Sequence, residues 1–321
     1  MKNHSFNTFP AISGPWAQTV FSKYFPVKDI PGEAKSHIIN LDDGDQLMLI
    51  ENTPKNWDGK KSIVLVHGLA GDYKSFYIMR MGNIFYSKGY NVIRMNHRGA
   101  GPGIDLAMGV GHGGRSYDLL KSCQWLEEKY PNCAYGVVGY SLGANLTIKM
   151  LGEFSELLGD QLKIASAVSF PLSLEDSCNH LKKSKMFEKY FLICLDKIVK
   201  QRHEIFPALK DFPIPSNVKT LYEFDDLYTG PISGYKSAKH YYDSNSCLQF
   251  MGSIKKPLLL LTSLDDPIVD SFNLNKMPKK ENFELYTSNR GGHVGFLGHQ
   301  RLKPHFWIDS IISEKFDKVI N

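Results

Sequence analysis

The chain has 321 residues, of which 42% are hydrophobic, 12% aromatic and 22% charged. That is an ordinary globular composition, and it excludes a disordered, collagen-like or coiled-coil chain. Lys and Arg number 38 against 33 Asp and Glu, and this mild excess of +5 lacks the clustering of a nucleic-acid footprint, so no nucleic-acid partner is expected.

At roughly 150 residues per domain, the length fits either two domains or one enlarged α/β domain. Five cysteines form no Cys-x-x-Cys pair and eleven histidines include no His-Glu-x-x-His, so reduced thiols and no metal are expected. The first sixteen residues lack a basic segment followed by an apolar one. The longest apolar run, Pro257 to Leu264, is strand-sized. A cytoplasmic protein with no signal peptide and no integral membrane segment is therefore expected, its oligomeric state left open.

In chain order, His37–Asn40 and Gln46–Ile50 flank Asp42-Asp-Gly-Asp45 and predict a β-hairpin. Ile63–Val66 is a continuous apolar run, as a strand buried on both faces should be. A helix is predicted over Phe76–Lys88, a strand over Tyr90–Met95 and a helix over Arg115–Tyr130. The strand Tyr135–Val138 runs into Gly139, followed by a helix over Ala144–Leu151 and a strand over Ile164–Ser169. This alternation predicts a mostly parallel sheet flanked by helices. It then breaks: between Pro171 and Pro257 only helical patterns occur, at Lys185–Glu204 and Gly234–Asp243. Strands resume at Leu258–Thr262 and Phe283–Tyr286, and a last helix is expected near Phe306–Phe316. The reading is one α/β domain over residues 1–321 with an inserted helical cap at about 172–256.

Gly139-Tyr-Ser-Leu-Gly143 is a G-x-S-x-G placed between a strand and a helix. On such a tight turn a serine hydroxyl projects above the sheet, and the flanking glycines remove side chains that would collide. A nucleophilic Ser141 needs a base and a group to orient that base, expected in the order Ser, acid, His beyond successive strands. Asp265-Asp266 follows one later strand, and Gly291-Gly-His293 follows the next. Spacing alone leaves Asp265 and Asp266 competing for the acid role. For the oxyanion, the N–H of Leu142 and that of Leu69, in His67-Gly-Leu-Ala-Gly71, are the natural donors. Gly109-Val-Gly-His-Gly-Gly114 fits G-x-G-x-x-G literally, but no strand feeds it, so no dinucleotide site is expected.

Through these motifs the sequence resembles the α/β-hydrolase family. Within it, the chain resembles the YheT-like branch of predicted esterases and their eukaryotic AB-hydrolase relatives. Further carriers of the likeness are Pro15-Trp-Ala-Gln-Thr19, Asn96-His-Arg-Gly-Ala-Gly101, Glu223-Phe-Asp-Asp-Leu227, Gly234-Tyr235, Tyr241-Tyr242 and Gly291-Gly-His-Val-Gly-Phe296. The resemblance implies a triad of Ser141, Asp266 and His293, favouring the second acid of the pair. It implies serine hydrolysis of small-molecule carboxylic or acyl-lipid esters without a cofactor. An acyltransferase or thioesterase with the same triad is the alternative, and a non-catalytic ligand-binding protein a more distant one. Peripheral contact with a lipid surface is compatible with the mild positive charge. The aromatic residues Phe187, Tyr190, Phe191, Phe206 and Tyr222 suit either a hydrophobic acyl site or packing between cap and sheet.

Overall fold

In the computed structural model, residues 2–3, 6–300 and 303–320 are described. Strands β1 (Lys2–Asn3), β2 (Ala34–Asn40), β3 (Gln46–Asn52), β4 (Lys61–Val66) and β5 (Asn91–Met95) precede β6 (Ala134–Tyr140) and β7 (Leu162–Val168). After a long helical segment come β8 (Leu258–Ser263), β9 (Phe283–Ser288), β10 (Leu297–Gln300) and β11 (Lys303–Phe306). Among the described residues, nine strands form one sheet in the order β1-β9-β8-β7-β6-β4-β5-β3-β2. Every pairing from β1 to β5 is parallel, whereas β3 pairs antiparallel with both β5 and β2. The predicted hairpin is β2–β3, closed at Asn40 opposite Gln46, with Gly44 at φ 88°.

Alternation along the central strands decides what each sheet face holds. Ile63 and Leu65 of β4 join a cluster with helices α2 (Phe76–Ser87) and α10 (Trp307–Ile320), through Phe85, Ile312 and Phe316. Val64 and Val66 point the other way, to α3 (Ser116–Lys129) and α4 (Leu142–Glu153), through Leu119, Leu126, Leu146 and Met150. The run Ile63–Val66 is therefore buried on both faces, which is why it reads as apolar without interruption.

Helices the motif reading did not place are α1 (Pro15–Phe21), ahead of the sheet, and α5 (Leu174–Leu181), directly after β7. Pro15 occupies the first turn of α1, where its missing N–H costs nothing. The segment between β7 and β8 continues with α6 (Lys185–Ile205), α7 (Leu221–Phe224), α8 (Gly230–Ile232) and α9 (Ala238–Asn245). A π turn over Asp225–Thr229 links α7 to α8, and α9 begins four residues later than its sequence pattern suggested. Ser173, Thr220 and Ser237 each cap the following helix by accepting a backbone N–H.

Candidate active site

The parallel strands carry their carboxyl ends to one edge, and the candidate residues lie on the loops there. In register, Val66 of β4 stands beside Gly139 of β6, which places the loop after β4 against the turn after β6. At that turn Ser141 has φ 54° and ψ −118°, a strained conformation for a residue with a side chain. Its N–H donates to Val168 O (2.9 Å), and its carbonyl accepts from Ala144 and Asn145. Gly143 is required by close approach: a Cβ there would lie 2.5 Å from both Val66 O and His67 O.

Ser141, Leu142 and Leu69 line one cavity together with His67, His97 and His112. Leu142 is the first residue of α4, so its N–H has no intrahelical acceptor. The neighbouring Gly68 N–H is occupied by Tyr77 OH (2.9 Å). His67 Nδ1 faces Gly68 O (2.8 Å), while its Nε2 accepts the His97 N–H (3.1 Å), an arrangement that specifies the neutral Nδ1-protonated ring. Burial, followed by repulsion from His97, pushes His67 well below its ordinary value. Burial likewise lowers His97 and His112. Burial therefore favours the neutral form of each of these rings.

Beyond β8 and β9 the two adjacent acids separate. Asp266, buried, accepts His293 Nδ1–H at Oδ2 (2.9 Å) and the N–H groups of Ile268 and Val269 at Oδ1 (2.9 Å each). Asp265 instead accepts the Gly292 N–H (2.9 Å) and so shapes the histidine loop from outside. Burial raises the Asp265 carboxyl despite that bond. The histidine loop meets the serine turn through β7: Val294 N–H donates to Ser169 Oγ (3.1 Å), one residue after the carbonyl that holds Ser141.

The loop's other wall is α1, a positioning element that the motif order did not identify. His293 N–H donates to Thr19 Oγ1 (2.9 Å). Gln18, fully buried, donates to Leu297 O (2.8 Å) and accepts Leu297 N–H (2.7 Å). Gly292, at φ 57°, lies so near that a Cβ would be 2.5 Å from Pro15 O. The Pro-Trp-Ala-Gln-Thr segment carried a family likeness in the sequence, and its physical content is this brace. The available signal was Pro15 as a helix start.

The remaining candidates sort plainly. Arg98 pairs with Asp118 in a two-pronged contact (2.8 and 2.7 Å) and with Asp43 and Asp45. Glu223 accepts Lys219 N–H, and Asp226 accepts Ala238 N–H (2.7 Å), so both hold turns of the segment between β7 and β8. Asp225 lines the cavity and accepts Tyr242 OH (2.6 Å); burial raises it to about 6, outweighing the hydrogen bonds from Thr229 and Tyr242. Of the five aromatics named from the segment between β7 and β8, Phe191 lines the cavity, whereas Phe187 stacks on Trp16 at 4.5 Å and Tyr190 is exposed. The glycine-rich loop 109–114 contributes Val110, Gly111 and His112 to the cavity wall and is tied down by Tyr241 OH and Asn145. Among the described residues there is no group of three or more His, Cys, Asp or Glu able to hold a metal ion, and no helix is long and apolar enough to cross a membrane.

Residues 61–170 match the family described as alpha/beta hydrolase fold. Over 287 residues the chain is 29% identical to the Escherichia coli (strain K12) protein named "Putative esterase YheT", covering 86% of this chain and 82% of that one. It is 26% identical to the monoacylglycerol lipase of Saccharomyces cerevisiae, covering 75% of this chain and 56% of the lipase. It is also 26% identical to human phospholipase ABHD3, covering 87% and 70%. The chain thus spans little more than half the length of the yeast lipase it matches. Among solved structures, the esterase Pf2001 of Pyrococcus furiosus superposes with a TM-score of 0.61 at 20% identity, covering 92% of this chain and 100% of that one. Strand order, serine turn and relatives agree on the α/β-hydrolase fold, and over most of its length the chain is similar to proteins named as esterases and lipases.

Proposed function

We propose that the protein hydrolyses carboxylic esters through an acyl-enzyme on Ser141, with His293 as base and Asp266 orienting it. The observation that carries this reading is the bond of 2.9 Å between His293 Nδ1 and Asp266 Oδ2, in a chain whose Ser141 occupies the strained strand-to-helix turn at an apolar cavity. With Nδ1–H held by Asp266, the imidazole keeps its Nε2 lone pair for the serine proton. Ser141 Oγ attacks the ester carbonyl, the oxyanion is stabilised by the N–H groups of Leu142 and Leu69, and the protonated imidazole gives its proton to the departing alcohol. Water then attacks the acyl-enzyme with His293 again as base. No step needs a metal or cofactor.

The cavity favours acyl chains over polar groups, because Leu174, Leu181, Phe191, Leu195, Ile198 and Val199 line it. Segment 172–256 acts as the cap of a single α/β unit, supplying that apolar roof. All five thiols are free, which suits a reducing compartment such as the cytoplasm. Ser141→Ala should lower hydrolysis of short p-nitrophenyl esters on the order of 10⁴-fold or more. It should also abolish labelling by a fluorophosphonate. Undiminished turnover by that variant would end the proposal.

A further inference from the structure

Helix α6 is apolar on two opposite sides, one facing the cavity and the other largely exposed. Its inner side carries Phe191, Leu195, Ile198 and Val199, which line the cavity over Ser141. Its outer side carries Met186, Tyr190 and Ile193, at spacings of four and three residues, each exposed by half or more (51%, 52% and 59%). A water-facing helix ordinarily shows polar residues on that side. The patch extends onto the segment after α1, where Tyr24 is 67% exposed. There the Lys23 ammonium lies 5.1 Å from the Tyr24 ring centroid and 5.8 Å from that of Tyr190, joining the two elements into one surface.

Charge surrounds these side chains and has one dominant sign. Lys185, Lys189, Lys197 and Lys200 project outward from α6, and Lys23 stands beside Tyr190. Of the helix's acids, Glu188 is turned inward and buried, accepting Leu221 N–H, and Asp196 is neutralised by Lys200 at 2.7 Å. Glu204 stands at the far end. Amphipathic tyrosines and long lysine stems, interleaved with Met and Ile, match a headgroup layer with negative charge and apolar chains beneath.

The geometry points to the outer face of α6, together with Lys23 and Tyr24, as a docking surface for an anionic lipid bilayer. The same helix then touches the lipid with one side and roofs the cavity with the other, which places the ester-cleaving site next to a store of acyl-lipid esters. The docking surface is independent of the hydrolytic reading; only its use for substrate capture rests on that reading.

The test is co-sedimentation of the full chain with vesicles of phosphatidylcholine alone or doped with phosphatidylglycerol. The parent should pellet with the doped vesicles and release as salt is raised. Met186→Ser, Tyr190→Ser and Ile193→Ser combined should abolish pelleting, and Lys189→Gln with Lys197→Gln should weaken it about fivefold per lysine. All five side chains are exposed, so parent-like melting by circular dichroism checks the fold of each variant. Hydrolysis of soluble p-nitrophenyl butyrate should stay at the parent rate, while that of vesicle-borne monoacylglycerol should fall. Three results would overturn the inference: no pelleting of the parent, equal pelleting of the triple variant, or equal binding to neutral vesicles. Dimerisation of the parent that the triple variant abolishes, without vesicle binding, would assign the face to a second copy of the chain and overturn it too. If no ester is cleaved but the vesicle results hold, the hydrolytic reading falls and the docking surface stands.

Discussion

Neighbouring carboxylates at 265 and 266 share a backbone turn but face different donors, and the difference is chemical. Asp266 takes three N–H donors, one of them the imidazole, and in the proposed mechanism its charge stabilises the His293 imidazolium. Asp265 takes one backbone donor and needs only an acceptor oxygen. Asp266→Asn should therefore lower kcat on the order of 10⁴-fold, because an amide can hold the wrong imidazole tautomer. Asp265→Asn keeps an acceptor for Gly292 and should retain activity within about tenfold, a contrast read in one set of steady-state assays. Spacing left these two residues equivalent because both follow the same strand end. Only the direction of each side chain separates them, and direction depends on Ile268 and Val269 folding back over the carboxylate.

At the scale of elements, the clearest expectations were those written in local periodicity. The hairpin β2–β3 and the strands β4 to β9 follow from apolar runs bounded by turn residues, and their ends moved by only one to three residues. Helix α5 and the turns from Leu221 to Ile232 were illegible for a physical reason. They are short, and their stability comes from caps and distant partners such as Asp226 on Ala238 N–H, which leave no repeat in the sequence. One long-range tie has a measurable signature. Glu51 of β3 is buried, which alone would raise its pKa, but hydrogen bonds from Asn91, Tyr130 and Lys129 outweigh burial and hold it at about 2, below its ordinary 4.5. Its folded value is depressed, so its contribution is full above about pH 4.5 and is lost as pH falls toward about 2. Glu51→Gln should be less stable than the parent at neutral pH and should lose less stability across that acid window, as melting curves at several pH values would reveal.

Among the described residues, two apolar layers cover one sheet, and α1 packs against the loop that carries His293. Motif order already implied a single sheet, because Ser141 precedes the helical insertion and Asp266 and His293 follow it. It could not show that α1 packs against the histidine loop, since a contact between residues 279 apart has no local pattern. Gln18→Leu would leave the buried N–H and C=O of Leu297 without these partners. It should cost about 2 kcal/mol or more in urea denaturation. The same change should lower kcat by loosening the loop that carries His293.

This closure also sets an order of events during synthesis. Helix α1 leaves the ribosome long before Leu297 exists, and at common elongation speeds its Gln18 waits roughly 15–55 s for that partner. Ser141 can reach its strained turn before His293 has been made. On the proposed mechanism, a chain released before His293 should not be labelled at Ser141 by a fluorophosphonate.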